Sequence, residues 1–192
     1  PHSDEAVLGD GGDSARDLVA LYSADDGAST FYLRADLLDL FEAVEDDRLD
    51  LYFLLDVGAG GTSSFPDGLS GTAGLGWDLV CSVYSADFFN VRPADGTVLA
   101  SQDSNASAIR TPYFRGDLDS IEVGFDRSFL ASAGWDGSSA INLQVVSAKD
   151  FGGSISDALP DNSSVSTDTV GPSAKFAFVL HGNQAISEAS YI

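Results

Sequence analysis

Apolar and polar residues alternate with a period of two in several short segments, and this alternation restricts the chain to β-strands that bury one face. The clearest case runs from Leu49 to Val57, where every second residue is Leu, Phe or Val. Successive side chains of a strand point to opposite faces of a sheet, so the apolar set of each segment faces a core. The same alternation recurs at 121–125 and 141–146.

Further strands are predicted from shorter apolar segments, and Gly-containing turns separate them. These strands are expected at 17–23, 30–36, 77–85, 88–92, 97–100 and 174–181. Helix is expected only at 36–46 and 127–133, the latter with Asp126 as its cap. Many short strands joined by turns predict an all-β fold, a two-sheet antiparallel β-sandwich of jelly-roll or immunoglobulin-like type with little helix.

Two segments are expected to be long loops, and they bear on domain organisation. Residues 58–76 are rich in Gly and Ser, and residues 150–173 are rich in Asp, Ser and Thr. Loops of this length in a compact domain are often functional or act as linkers. We therefore expect one β-sandwich over 1–173. Residues 174–192 form either its last strand or the start of a following domain.

The charge of the chain excludes several classes of partner. There are 30 acidic residues against 9 basic ones, a formal net charge of −21, and 25 of the acidic residues are Asp. Phosphate binding needs clustered Lys and Arg, so nucleic acid and anionic membrane surfaces are not expected partners. No apolar stretch approaches the ~18 residues that span a bilayer, so no membrane insertion is expected. A strongly acidic surface is typical of a protein that stays hydrated in concentrated salt. Asp is also a common residue in turns and a common calcium ligand.

Aromatic residues beside acidic ones are the candidate carbohydrate-binding residues. Pyranose rings stack on aromatic faces, while carboxylates, amides and guanidinium groups bind hydroxyls. The two tryptophans are each followed by an Asp, at Trp77-Asp78 and Trp135-Asp136, and both pairs are expected at the ends of strands or in turns. The remaining candidates are Tyr84, Tyr113, Phe65 and Arg115.

A calcium site is predicted near the amino-terminal end, where Asp10, Asp13 and Asp17 surround two glycines. Hard cations take several carboxylate and carbonyl oxygens from a tight turn. With 25 Asp in the chain, close spacing also arises by chance, and solvated acidic residues are the competing interpretation. The single cysteine, Cys81, excludes an internal disulfide and a thiolate zinc site and is expected to be buried.

The order of several segments carries a resemblance to a known family. An acidic, Gly-rich opening at 9–17 precedes a strand at 18–23, and the sequences FYLRAD (31–36), LDLYFLLD (49–56), GWD (76–78) and IEVGFD (121–126) follow. Over roughly 7–160 this order is similar to the β-sandwich superfamily of family-nine carbohydrate-binding modules and DOMON-like domains, especially the module attached to glucodextranases and amylopullulanases. The resemblance implies a module that binds sugar chain ends or haem, or accompanies large secreted enzymes, with structural calcium in some members.

The carboxy-terminal segment carries a second resemblance, and the scarcity of histidine and methionine bears on haem binding. The segment AKFAFVLHGNQ (174–184) resembles the first strand of family 57 glycoside hydrolases, which implies that a catalytic domain begins there; a last sandwich strand is the alternative. Haem is not expected, because the chain has no Met and its two histidines, His2 and His181, lie near the ends.

No nucleophile, metal or phosphate-loop motif is present, so we predict that the chain is not an enzyme. The predicted function is a secreted or cell-surface carbohydrate-binding accessory module for α- or β-glucans, with a polysaccharide or oligosaccharide as its partner. The alternative is a structural cell-surface, filament or adhesion module whose assembly with like subunits or neighbouring domains depends on calcium or salt.

Overall fold

Two antiparallel sheets pack face to face in the computed structural model, which describes residues 16–40, 49–58, 60–85, 88–115, 119–149, 155–160 and 176–178. The four-stranded sheet has the order β1-β2-β10-β9. Its strands are β1 (Leu18–Asp25), β2 (Thr30–Leu37), β9 (Ile109–Arg115) and β10 (Ser120–Asp126). The predicted all-β sandwich is confirmed.

The larger sheet has the order β12-β11-β3-β6-β7-β8, and β13 also pairs with β11. Its strands are β3 (Leu49–Asp56), β6 (Leu79–Tyr84), β7 (Phe88–Pro93), β8 (Ala100–Ser101), β11 (Ile141–Lys149), β12 (Ile155–Leu159) and β13 (Phe176–Phe178).

A short helix, α1 (Ser128–Ser132), follows β10 where a helix was predicted. The Asp126 carboxylate accepts a hydrogen bond from the Ser128 N–H of this helix at 2.8 Å.

The central core lies between the two sheets and contains the apolar set of each alternating strand. Phe31 and Leu33 of β2 meet Leu51 and Phe53 of β3 in this cluster, and all four are fully buried. Cys81 is also buried there, as predicted. The period of two thus correctly identifies which side chains of these strands face the space between the two sheets.

A hairpin covers the outer face of the larger sheet. It consists of β4 (Thr62–Ser64), a 3-10 turn at Pro66–Gly68 and β5 (Thr72–Trp77), and we call Thr62–Trp77 the flap. Phe65 and Leu69 of the flap pack on Leu54 of β3 and Val80 of β6 in a second hydrophobic cluster. β3 is therefore buried on both faces, and the molecule has three layers along this part of the larger sheet.

Several boundaries differ from the sequence prediction. The segment 58–76, expected as a loop, contains both strands of the flap, and the strand predicted at 77–85 begins only at Leu79. β9 and β12 were not predicted, and only Ala100 of the predicted strand at 97–100 is in a strand. β2 extends to Leu37, into the predicted helix at 36–46; Leu40 is helical as predicted, and 41–46 lies outside the described residues.

The carboxy-terminal segment is described at only three residues. Phe176–Phe178 forms β13 and pairs with Ile141–Leu143 of β11, while the rest of 174–192 lies outside the described residues. In the part of the chain that the structure describes, no helix has the length and apolar character needed to cross a membrane.

Candidate functional site

A cleft of about 330 Å³ lies where the flap meets the turn that follows β7. One wall is the flap, and the other is the turn at 93–96. The flap and the larger sheet contribute Thr62, Ser64, Phe65, Pro66, Asp67, Trp77, Val80 and Arg92, and the turn contributes Pro93, Ala94, Asp95 and Gly96. Aromatic and polar side chains thus converge on one concavity, which is the usual composition of a ligand site.

Asp67 is the residue that ties the flap to the sheet beside this cleft. It lies in the Pro66–Gly68 turn with a left-handed φ of 56°, which turns the chain so that its carboxylate reaches the sheet. The carboxylate accepts hydrogen bonds from Arg92 Nη1 at 2.8 Å, from Arg92 Nη2 at 3.0 Å and from the Tyr84 hydroxyl at 2.5 Å. The two bonds from Arg92 form a bidentate ion pair, the strongest arrangement for these groups.

Arg92 is the second charged residue of this hydrogen-bond network, and it donates to several acceptors besides Asp67. Its side chain is 15 % exposed, and its Nη2 also donates to Ser82 Oγ at 3.0 Å and to the Tyr84 hydroxyl oxygen at 2.9 Å. Tyr52 packs edge-on against Tyr84 with ring centroids 5.9 Å apart. These residues lie on the outward positions of β3, β6 and β7, so strand pairing fixes their relative places.

The environment sets the protonation state of each group. Burial raises the pKa of Asp67, but the hydrogen bonds from Arg92 and Tyr84 outweigh this effect and hold the pKa below its ordinary 3.8. Burial raises the pKa of Tyr84, as does its bond to Asp67, and burial raises the pKa of Tyr52 far above its usual range. At neutral pH the network therefore contains one carboxylate, one guanidinium and two tyrosine hydroxyls that keep their protons.

The second carboxylate in the cleft, Asp95, is also ionised at neutral pH. Its pKa is lowered by the backbone N–H of Thr97, which donates to the carboxylate at 2.9 Å. Hydrolysis of a glycoside requires one carboxylic acid that stays protonated and donates its proton. Of the described residues that line this cleft, neither carboxyl group has the raised pKa that this role requires. At neutral pH these two carboxylates can accept hydrogen bonds but carry no proton to donate.

Three of the predicted carbohydrate-binding residues, Trp77, Phe65 and Tyr84, lie at or next to the cleft. Trp77 lines it, is 4 % exposed, and donates from Nε1 to the Ser64 carbonyl oxygen at 2.9 Å. Tyr84 belongs to the Asp67 network described above. Asp78 follows Trp77, but its carboxylate accepts the N–H groups of Val57 and Gly58, both at 3.0 Å, and so secures the end of β3.

Trp135 and Asp136 lie elsewhere. Trp135 is 6 % exposed in the central core, donates to the Ser139 carbonyl oxygen at 2.9 Å, and has the Arg127 guanidinium 4.8 Å from its ring centroid. Asp136 stabilises the following turn, whose N–H groups lower its pKa to about 2. The two tryptophans belong to different hydrophobic clusters, so the structure does not bring them together as one sugar platform.

Tyr113 and Arg115 lie in β9 of the four-stranded sheet, away from the flap. Phe65 lines the cleft. The predicted residues are therefore distributed over both sheets, and the cleft unites Trp77 and Phe65 with Asp67 and Arg92, which sequence reasoning did not select. The sequence FFNVRP contains one signal that could have identified Arg92. Asn90 and Arg92 alternate there with core residues, which places a charged side chain on the face of β7 opposite the central core.

The predicted calcium site is only partly within the described residues. Asp10 and Asp13 lie outside them, and Asp17, at 2 % exposure, lies directly before β1. The described part of the chain contains no group of three or more His, Cys, Asp or Glu side chains arranged to hold a metal ion. Calcium binding through Asp10, Asp13 and Asp17 stays a prediction.

Comparisons with known proteins give no family assignment: no family model matches the chain, and no curated protein shows significant similarity to it.

Proposed function

We propose that the protein is a non-catalytic carbohydrate-binding module of a larger extracellular glycan-active protein, and that the cleft under the flap takes a terminal sugar unit. The observation that carries this proposal is the Asp67–Arg92 pair held beside Trp77 and Phe65 in one concavity. A ligand rich in hydroxyl groups needs fixed donors and acceptors next to an apolar wall, and this cleft supplies both.

The size and charge of the cleft favour a single neutral sugar unit. Its volume of about 330 Å³ is near the lower end of the range for small-molecule sites. Asp67 and Arg92 neutralise each other, so the pair offers hydrogen-bonding groups without a net charge. Ser64, Thr62 and Asp95 add hydroxyl and carboxylate groups along the walls. An anionic ligand would face a chain of net charge −21 with little local compensation.

The first prediction concerns replacement of the central carboxylate. Asp67→Asn keeps the side-chain shape but removes the charge and one of the two acceptors for Arg92, so the guanidinium is held less firmly in the cleft. We expect the affinity for the best glucan oligosaccharide to fall about tenfold, equivalent to roughly 1.4 kcal/mol. Isothermal titration calorimetry with a panel of α- and β-gluco-oligosaccharides measures this change.

Asp103→Asn is the matched control, because it makes the same change at an exposed position outside the cleft. Ser64→Ala, which removes one hydroxyl from the wall and leaves the backbone bond to Trp77, tests the cleft without disturbing the ion pair. If no oligosaccharide binds the unaltered protein, the proposal is wrong. Calcium- or salt-dependent assembly observed by size-exclusion chromatography would then favour the structural module.

A further inference from the structure

The outward face of the four-stranded sheet carries an ordered set of aromatic and charged residues. Strand register places Tyr22, Arg34 and Glu122 in one row across β1, β2 and β10. The next row contains Ala24, Tyr32, Gly124 and Arg110, and the row on the other side contains Ala20, Asp36 and Ser120. Side chains directly opposite one another in antiparallel strands point to the same face. Tyr22 and Tyr32 are therefore diagonal neighbours on this face.

Tyr32 packs against the sheet because the residue opposite it is Gly124. A Cβ atom at position 124 would lie 2.9 Å from Tyr32 Cδ1 and 3.1 Å from Arg110 Cγ. Both distances are shorter than ordinary contacts, so only glycine lets the tyrosine ring and the Arg110 stem come this close to the backbone. Tyr32 is partly exposed. Its ring therefore lies close to the backbone of the sheet with part of its surface in contact with solvent.

Arg34 joins the aromatic and the acidic residues of this face. Its guanidinium lies 5.2 Å from the centroid of the Tyr22 ring, and its Nε donates to Asp36 Oδ1 at 2.6 Å. Glu122 is its cross-strand partner on β10. The guanidinium thus lies between the Tyr22 ring and the carboxylates. Its N–H groups are hydrogen-bond donors, and the neighbouring carboxylate oxygens are acceptors on the same face.

This face is partly exposed to solvent in the part of the chain that the structure describes, since both tyrosines and Arg34 are half-buried and Arg110 is exposed. Neither hydrophobic cluster in that part of the chain includes one of its side chains, whereas the flap covers much of the outer face of the larger sheet. Its charges nearly cancel, since Arg34 and Arg110 accompany Asp36, Glu122 and Asp126. A face with no excess of positive charge on a chain of net charge −21 does not suit a polyanion. Two partly exposed tyrosines also offer too little apolar area for a stable protein interface.

We propose that this face, defined by Tyr22, Tyr32, Arg34, Arg110 and Glu122, is a second carbohydrate-binding surface that takes internal segments of a neutral polysaccharide. Aromatic rings and hydrogen-bonding groups on the face of a sheet can contact a sugar chain at any point along its length. The cleft, in contrast, is proposed to take one terminal unit. This inference goes beyond the proposed function of the cleft, because the two surfaces lie on opposite outer faces of the sandwich.

The test is affinity electrophoresis of the full chain in native gels that contain amylopectin, dextran or a mixed-linkage β-glucan, with alginate as an anionic polysaccharide. We expect retardation by at least one neutral polysaccharide and none by alginate. The double variant Tyr22→Ala/Tyr32→Ala is expected to weaken the apparent affinity at least tenfold. Its affinity for di- and trisaccharides, measured by calorimetry, is expected to stay within twofold of the unaltered protein.

Two controls separate this surface from the cleft and from misfolding. Tyr32→Phe keeps the ring and is expected to retain polysaccharide binding, and the cleft variant Asp67→Asn is expected to lose oligosaccharide affinity while retaining retardation. The proposal is overturned if no neutral polysaccharide retards the protein, if alginate retards it equally, or if the tyrosine variants remain folded and bind polysaccharide unchanged. Oligosaccharide binding that persists in those cases leaves the cleft proposal standing.

Discussion

Asp67 shows how much of the site depends on one carboxylate. The residue is remote in sequence from Tyr84 and Arg92, yet it bonds to both and holds the flap against β6 and β7. Its lowered pKa means that the ionised form is favoured in the folded protein relative to the unfolded chain. Protonation therefore weakens the same contacts that position Arg92 in the cleft.

The pH dependence of this residue is the second prediction. A carboxyl group whose pKa is lower in the folded state stabilises the protein above the unfolded pKa, and the contribution is lost as the pH falls through the folded pKa. We expect the unaltered protein to have a higher melting temperature than Asp67→Asn at pH 5 and above. The difference is expected to shrink below pH 3.8, the ordinary pKa of this group.

Thermal unfolding of both proteins between pH 7 and pH 2 measures this difference. Asp26 and Asp136 also have lowered pKa values, so the stability of both proteins falls in acid, and only their difference isolates Asp67. A difference that stays constant from pH 7 to pH 2 contradicts the prediction.

The two tryptophans show where residue-level prediction from sequence ends. Trp77 and Trp135 each stand before an Asp in a turn-rich segment, and nothing local separates them. Their different environments arise from contacts that are remote in sequence, because Trp77 packs on the outer face of the larger sheet and Trp135 packs between the sheets. The same is true of Asp67 and Arg92, which only the folded chain brings together.

At the scale of elements, the flap depends on close approach of two backbone segments at its base. Gly61 lies against Gly76 and Trp77, so a Cβ at position 61 would be 2.2 Å from the Gly76 carbonyl oxygen and 2.5 Å from that of Trp77. Backbone atoms cannot move aside as a flexible side chain does. The neighbouring Gly76 faces no such limit, because its added Cβ would lie 3.6 Å from the nearest atom.

The third prediction compares these two glycines. Gly61→Ala is expected to disturb the pairing of β4 with β5 and to destabilise the protein by about 1–3 kcal/mol, the usual cost of overpacking. Gly76→Ala is the matched control and is expected to change stability by less than about 0.5 kcal/mol, as most substitutions at unconstrained positions do. Urea unfolding followed by tryptophan fluorescence measures both. Equal effects at the two positions would show that the base of the flap is not tightly packed.

Elements with a strict period of two could be predicted, and elements stabilised mainly by tertiary contacts could not. The sequences of β3 and β10 show the alternation of apolar and polar residues directly. The flap strands are composed largely of Gly, Ser and Thr, and their packing on the second hydrophobic cluster stabilises them as strands. β9 contains Pro112, which an edge strand tolerates. β12 contains the buried Asp157, whose carboxylate accepts the Leu18 N–H at 2.7 Å, and in the sequence such a residue favours a loop.

At the scale of the whole molecule, the net charge of −21 is the dominant electrostatic feature. The described core is apolar, and many of the acidic side chains lie in exposed turns, where Asp26, Asp95 and Asp136 accept backbone N–H groups. Like charges at this density repel one another and oppose the compact state. Salt screens that repulsion, because the Debye length falls to about 10 Å at 0.1 M and about 3 Å at 1 M.

The fourth prediction is that salt stabilises the fold. We expect the melting temperature at pH 7 to rise steadily as NaCl increases from about 0.02 M to 0.3 M, the range over which screening changes most. Differential scanning calorimetry measures the midpoint, and KCl at equal ionic strength is the control, since screening does not depend on which monovalent cation is used. A midpoint that is flat over this range, or that differs strongly between the two salts, contradicts the prediction.

The geometry of the flap has a consequence for how such a module can diverge. The chain enters the flap at Thr62 and leaves it at Trp77, and these two residues are cross-strand partners. A segment whose ends already adjoin can change length at small entropic cost, and neither sheet has to move. Exchange of the segment between these two residues would therefore replace one wall of the proposed binding cleft and leave the strand order of both sheets unchanged.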